Sequence, residues 1–387
     1  MKSLFLLITC VSILAGCSKN NSGSSVSVTM SDVSFERQSN TSNCRFFVNL
    51  TSALDKPASV NFSTIAGTAS SNVDFVPQSG VLTFAAGQKQ LYIDIPITGD
   101  SLRKNDQAFF IELTNPENCT LADTKNKITI INDGIYLPTD MSGYTTPIAY
   151  SGYNLVWSDE FNGSSLNTQD WNYETGGSGW GNHELENYTS RLQNVFVSSG
   201  NLVIEARKED YNGNQYTSAR INTMSKKEFK FGRIDIRAKL PVGKGLWPAL
   251  WMLGSNISQT GWPACGETDI MELIGTYPNR VVGSFHWQKQ DGSVGSVSNF
   301  KELSSEDFSH QFHVFSLVWK QDSLAILVDD QSYSVASSQT VINGNYPFNA
   351  SSFFIFNVAV GGDWPGPPDN TTAFPQRMFV DYVRVFQ

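Results

Sequence analysis

The segment GETDIMELIG at residues 266–275 sets Glu267, Asp269 and Glu272 among apolar neighbours, soon after the aromatic stretch GLWPALWMLG at 245–254. Like charges at short range repel, and an unpaired carboxylate is costly to bury. Such a segment is either an exposed edge or a site whose chemistry needs acids. A helix does not gather these acids: at about 100° per residue they point at roughly 0°, 200° and 140°. A regular strand puts Glu267 and Asp269 on one face and Glu272 on the other. One extra residue near Ile270-Met271, a β-bulge, restores the parity and brings all three to one face. Bulges are enriched beside active sites, so the odd spacing is informative.

Three carboxylates on one strand face suit glycoside hydrolysis. A retaining mechanism needs a nucleophile and an acid/base about 5–5.5 Å apart across the scissile bond. Alternate strand residues lie roughly 6.6–6.8 Å apart, so Glu267 and Glu272 stand at about twice that at their Cα atoms. A curved sheet and converging side chains must close the gap. Asp269 between them can hydrogen-bond Glu267 and keep the two pKa values apart, leaving one acid protonated. The bland alternative is an acidic surface strand on a sandwich, as in a lectin.

The elements that must position these acids are strands. The 387 residues are rich in aromatics, Gly, Ser, Thr and Asn and show no long amphipathic heptads, which predicts an all-β protein of two domains. A formal charge of −9 argues against a nucleic-acid partner. Residues 27–134 contain VSVTM, CRFFVNL, SVNFST, GVLTF, QLYIDIPI, AFFIEL and KITIIND, separated by turn residues in the manner of an antiparallel sandwich. Residues 135–152 are Pro-, Thr- and Gly-rich and form a linker. From 153 to 387 short strands resume, among them LVIEA, FGRIDIRAKL, HVFSLVWK, LAILVDD, FFIFNVAV and MFVDYVRVF. That length of strands without a convincing helix suits a double-sheet jelly roll.

At the N-terminus, one Lys, a short apolar run and Leu14-Ala15-Gly16-Cys17 form an export signal rather than a spanning helix. The LAGC ending resembles a bacterial lipobox. That resemblance implies removal of residues 1–16, lipidation of Cys17 and a polar tether at 17–26. The protein is then expected in the bacterial cell envelope, held to the outer membrane and facing periplasm or surface. Cys44 and Cys119 fall in one domain and either pair or stand as separate thiols. Cys265, with no His near it in sequence, is expected to be a buried packing residue.

Two family resemblances sharpen this outline. STIAGTASSNVDFVPQSGVLTFAAGQKQLYIDIPITGD, ending in TIINDG, resembles the Calx-β domain, an immunoglobulin-like sandwich that often binds calcium through acidic loops. Asp74, Asp100, Asp106 and Asp133 sit at plausible acidic positions. Ala66 stands where an Asp commonly precedes Gly-Thr-Ala, and SLRKN replaces the acidic run after Asp100, so a spacer or binding module is expected. GKGLWPALWMLG, WPACGETDIMELIG, SFHW, NVAVGGDWPGPPD and MFVDYVRVF resemble glycoside hydrolase family 16, over essentially all of 153–387. The E-x-D-x-x-E spacing marks its bulged branch, and within that branch the sequence resembles laminarinases.

By that resemblance Glu267 is the nucleophile, Glu272 the general acid/base and Asp269 the assisting residue, beneath an open cleft of a β-jelly roll. Trp247 and Trp251, four apart on one strand face, are expected to stack on sugar; packing into the core is the commoner fate of a single Trp. Trp180, Asn182 and Glu184 resemble the family's minus-side contacts, and Arg220 a position near the cleft. His286 is expected either to touch the sugar beyond the cleavage point or to be structural. Trp262 is a further lining candidate. Glu160, Gly200 through its carbonyl and Asp381 match the family's structural calcium site, an oxygen-only set suited to a hard cation; the alternative is two exposed acids and a turn Gly. The resemblance implies a monomeric endo-β-1,3-glucanase without a catalytic cofactor, acting on laminarin-type or mixed-linkage β-glucan. A galactan-cleaving, agarase-like hydrolase and a non-catalytic glucan-binding protein remain as rivals.

Overall fold

The computed structural model describes residues 25–387, apart from Asp133, Ile135 and Ile342. The export signal, Cys17 and most of the tether therefore lie outside the described residues. Two compact units are present. One holds residues 40–99 and 106–131 together with the N-terminal segment up to Phe35; the other holds 132–387 and the short segments Glu36–Ser39 and Asp100–Asn105. The boundary read from the sequence, 27–134, is thus interrupted by two segments that group with the larger unit.

The smaller unit is a sandwich of a four-stranded and a five-stranded sheet. Its strands show the period-2 pattern that a half-buried sheet requires. In Ser42–Leu50, Cys44, Phe46, Val48 and Leu50 turn inward while Asn43, Arg45 and Phe47 turn out. The core is aromatic, with Phe75 stacked on Phe109 at 4.1 Å. Cys44 and Cys119 are free thiols, the first of them buried. Two of the acids suggested for calcium are otherwise engaged. Asp74 accepts hydrogen bonds from the Ser70 backbone N–H and the Gln107 amide, and Asp100 faces Lys104 at 3.0 Å. Asp133 lies outside the described residues.

In the larger unit a ten-stranded and a seven-stranded sheet face each other, the layered arrangement expected of a jelly roll. The seven strands are β1 (Asn172–Glu174), β2 (Arg220–Asn222), β3 (Leu246–Gly254), β4 (Glu267–Glu272), β5 (Arg280–Gln288), β6 (Val294–Glu302) and β7 (Ser352–Val360). They pair in the order β1-β2-β7-β3-β4-β5-β6. One face of this sheet packs on the other sheet: Leu250, Met252, Ile270, Met271, Phe285 and Phe356 join Ile236, Leu317 and Val383 in a single core. The opposite face carries the acids.

β4 carries the expected bulge. Opposite β3, Leu250 pairs with Met271 and Trp251 with Asp269, so Ile270 is surplus. Opposite β5, Asp269 pairs with Ser284 and Glu272 with Val282, so Ile270 and Met271 together face one residue. Both of these consecutive side chains enter the core between the two sheets, whereas consecutive side chains of a regular strand point to opposite faces. The chain leaving β4 is held by Gly275, whose N–H donates to the Leu246 carbonyl at 2.8 Å. A Cβ at Gly275 would stand 2.0 Å from the Gly243 oxygen, so no larger residue fits.

Two short helical turns, Ile257–Thr260 and Pro347–Asn349, interrupt the expected helix-free chain. At one turn each they leave no periodic trace in sequence. No helix among the described residues is long and apolar enough to cross a membrane.

Candidate active site

A cavity of about 780 Å³ lies over the outer face of the seven-stranded sheet, with Glu267, Asp269 and Glu272 among its lining. Trp247, Trp251, Trp180, Asn182, Glu184, Arg220, His286 and Trp262 line the same cavity, so every substrate contact expected from the sequence converges here.

The three acids differ in their partners. Glu272 accepts a hydrogen bond from Trp247 Nε1 at 3.0 Å. Burial at the cleft floor, then the charges of Asp269 and Glu267, push its carboxyl well above the usual range, with Trp247 opposing. Glu267 accepts from Trp262 Nε1 at 2.7 Å. Burial raises its pKa too, and the His286 ring, Trp262, Asp269 and Arg220 offset part of that rise, so it stays raised but has more groups favouring its charged form than Glu272 has. Asp269, almost wholly buried, is pushed well above the usual range by burial and by the Glu267 charge, and it hydrogen-bonds Glu267. A protonated Asp269 donating to Glu267 satisfies both. Glu272 is thus set up to hold a proton and Glu267 to be the charged member, the separation an acid/nucleophile pair requires.

His286 Nε2 lies 3.1 Å from Asp269 Oδ2 and 3.9 Å from Glu267 Oε1, which places the ring at the acids rather than in the core. Glu267, Asp269 and His286 are also a grouping that could hold a metal ion, their ligand atoms all within 4.8 Å of one another. On the β2 and β7 side of the acids, the Arg220 guanidinium sits over the rings of Trp180 (4.8 Å) and Trp251 (4.9 Å) while its Nε donates to Glu174. Trp251 Nε1 in turn donates to Asn357 Oδ1 at 2.8 Å.

Several residues with a part in this site were not anticipated. Asn357 Nδ2 donates to the Tyr188 hydroxyl at 3.1 Å, and that hydroxyl donates to Glu184 Oε2 at 2.9 Å. Asn182 Nδ2 donates to the other oxygen of Glu184 at 3.1 Å. Glu186, fully buried, accepts from the Val360 N–H at 2.6 Å and also hydrogen-bonds Glu184. Burial and then the Glu184 charge raise the Glu186 carboxyl well above the usual range, the direction that favours a proton on Glu186 where it faces Glu184. Trp364 packs edge-on against Trp247 at 5.4 Å. A polar Asn inside FIFNVAV is the one signal that could have pointed to Asn357.

Cys265 is buried among Leu253, Phe353 and Ile355, and burial pushes its thiol up, as suits a packing residue. The two acids of the expected calcium set are paired with arginines. Glu160 makes a bidentate pair with Arg384 at 2.8 Å, and Asp381 bonds Arg237 at 2.7 Å. Gly200 occupies a turn at φ 77°. Both carboxylates are committed to guanidinium groups, so this donor set does not fit a cation without breaking two ion pairs.

The family model for glycosyl hydrolases family 16 matches residues 182–384, more than half of the chain. The chain belongs to glycosyl hydrolases family 16. Residues 19–134 match the Calx-beta domain. Glucan endo-1,3-beta-glucosidase A1 of Niallia circulans is 41% identical over 273 residues, 63% of this chain and 39% of that protein. The chain therefore spans about two fifths of that relative's length. Beta-glucanase of Rhodothermus marinus is 39% identical, over 61% of this chain and 85% of that protein. Among solved structures, the catalytic domain of an endo-1,3-beta-glucanase (laminarinase) from Thermotoga petrophila RKU-1 is 47% identical with a TM-score of 0.58, over 61% of this chain and 98% of that one.

Proposed function

We propose that this family 16 chain is an endo-acting, retaining glycoside hydrolase of β-1,3-glucan, with mixed-linkage β-1,3/1,4-glucan as a second substrate. The observation that carries the reading is the bulged strand that sets Glu267, Asp269 and Glu272 on one face beneath a Trp-rich cleft. The named glucanase relatives support the substrate class.

In the proposed cycle Glu272 gives its proton to the glycosidic oxygen as that bond breaks, and Glu267 attacks the anomeric carbon to form a glycosyl ester. Glu272, now ionised, takes a proton from water. The resulting hydroxide equivalent displaces Glu267 and both carboxyls return to their first state. Asp269 keeps Glu267 oriented and lowers its basicity. The cleft's arginine is already paired with Glu174 and stacked between indoles, an arrangement suited to a neutral sugar rather than a sulfated one. Lipid anchoring at Cys17, proposed from the LAGC run alone, predicts that Cys17→Ser releases the protein from membranes.

Reducing-sugar release from laminarin, barley glucan and agarose, assayed in parallel, tests the reading. Release from laminarin is expected. Release from agarose alone would place the chain with galactan hydrolases, and no release from any would leave a glucan-binding protein.

A further inference from the structure

Beyond the acids, on the side away from Arg220 and Glu184, the outer face continues over β5 and β6. Register makes a straight row here: Glu272 pairs with Val282 on β5, and Val282 pairs with Phe300 on β6. Two strand spacings put Phe300 about 10 Å from Glu272. Beside it is a hollow of about 240 Å³, lined by Tyr277, Arg280, Val282, Ser298, Phe300 and Trp364. Val282, Ser298 and Trp364 also line the main cleft, so the two are continuous.

The walls of this hollow are built rather than incidental. Phe300 is 56% exposed and Tyr277 54%, unusual for rings with no role in the core. The Arg280 guanidinium lies 4.5 Å from the Phe300 ring centre and 5.4 Å from that of Tyr277, holding both rings while leaving over half of each open. Arg280 itself donates to Glu302 at 2.6 Å, so its charge is matched and the hollow favours a neutral ligand. Open aromatic faces beside a hydroxyl such as Ser298 are what a pyranose ring takes: CH faces stack and hydroxyls hydrogen-bond.

We propose that this hollow is a glucosyl subsite on the leaving-group side, with Phe300 as its platform and Tyr277 and Arg280 as its walls. The proposal rests on the β-1,3-glucanase reading. Glu272 protonates the leaving oxygen, so the sugars that depart cross Val282 and reach Phe300. The subsite gives the enzyme a grip on longer chains and sets which bond of an oligosaccharide is cut.

The test uses the full chain with Phe300→Ala and Tyr277→Ala on laminarihexaose labelled at its reducing end and on laminaritriose. The subsite predicts that kcat/KM on the hexaose falls roughly tenfold, about 1.4 kcal/mol. Activity on the triose, too short to fill cleft and hollow together, stays within about twofold, and cleavage of the hexaose moves towards its reducing end. Phe300→Trp restores the wild-type pattern. An active Phe300→Ala enzyme with the wild-type cleavage pattern would overturn the subsite and leave the glucanase reading intact. Wild-type protein inert on laminarin and on both oligosaccharides would overturn that reading, and the subsite with it.

Discussion

Burial at the cleft floor disfavours the charged form of Glu272, and the neighbouring acids Asp269 and Glu267 add to that, so its carboxyl is raised and favours keeping a proton. The same surroundings make it a burden on the fold. An unfolded glutamate titrates near 4.3; the folded one titrates higher. The folded state therefore binds more protons between those values, and stability falls as pH rises through that window. Glu272→Gln removes the charge and keeps the shape. It should cut kcat at least a hundredfold, the scale of a lost general acid. It should also raise the melting temperature at pH 7 by a few degrees, at roughly 2–4 °C per kcal/mol. Paired activity and thermal-melt measurements on one protein check both signs. For catalysis, Glu267 must be ionised while Glu272 is protonated. The pH profile of kcat/KM should then be a bell, its alkaline limb moved or lost in Glu272→Asp while the acid limb stays. Glu186 offers a separate check on the minus side. Glu186→Gln keeps a donor towards Glu184 and should leave kcat/KM within about threefold. Glu186→Leu leaves Glu184 without that donor and should raise KM for laminarin more than it lowers kcat.

At the scale of elements, β4 was the most legible part of the chain. A strand's side-chain period is 2, so a three-residue gap between acids that must share a face demands one surplus residue, and Ile270 is that residue. The strands of the inner core were legible for a related reason: FFIFNVAV and HVFSLVWK are apolar enough to be bounded by eye. β6 escaped, because VGSVSNFKE is mostly exposed, with Ser, Asn and Lys diluting its alternation. The links of the Glu186–Glu184–Tyr188–Asn357 chain escaped as well, since they join the short strand Glu186–Tyr188 and the residue before it to a strand far off in sequence, and no spacing encodes that. β4 also yields a stability prediction. Gly275→Ala drives a methyl into the Gly243 carbonyl and should cost about 1–3 kcal/mol, read as a lower midpoint in denaturant melts.

For the molecule as a whole, charge is spent on internal pairing. Glu205, fully buried, is held by Arg103 at 2.8 Å, Arg377 at 2.6 Å and Arg207 at 2.8 Å. Burial pushes its carboxyl up, and the three arginines, Arg103 foremost, outweigh that and hold it low. Its contribution is present above the unfolded glutamate range and is lost as pH falls through the depressed folded value. Glu160 and Asp381 are paired in the same manner, which sequence could not disclose because Arg384 and Arg237 reach them through space. Chelation should accordingly leave the melting temperature of the larger unit unchanged, whereas a drop of several degrees with EDTA, reversed by calcium, would restore the metal reading. A double displacement at Glu267 assisted by Glu272, as proposed, retains the anomeric configuration of the product released from β-1,3-glucan. The most direct measurement is proton NMR of the anomeric signal in the first minutes of laminarin hydrolysis by the full chain. The β-anomer should appear first and the α-anomer only later by mutarotation, whereas initial release of the α-anomer, or no release at all, would contradict the account.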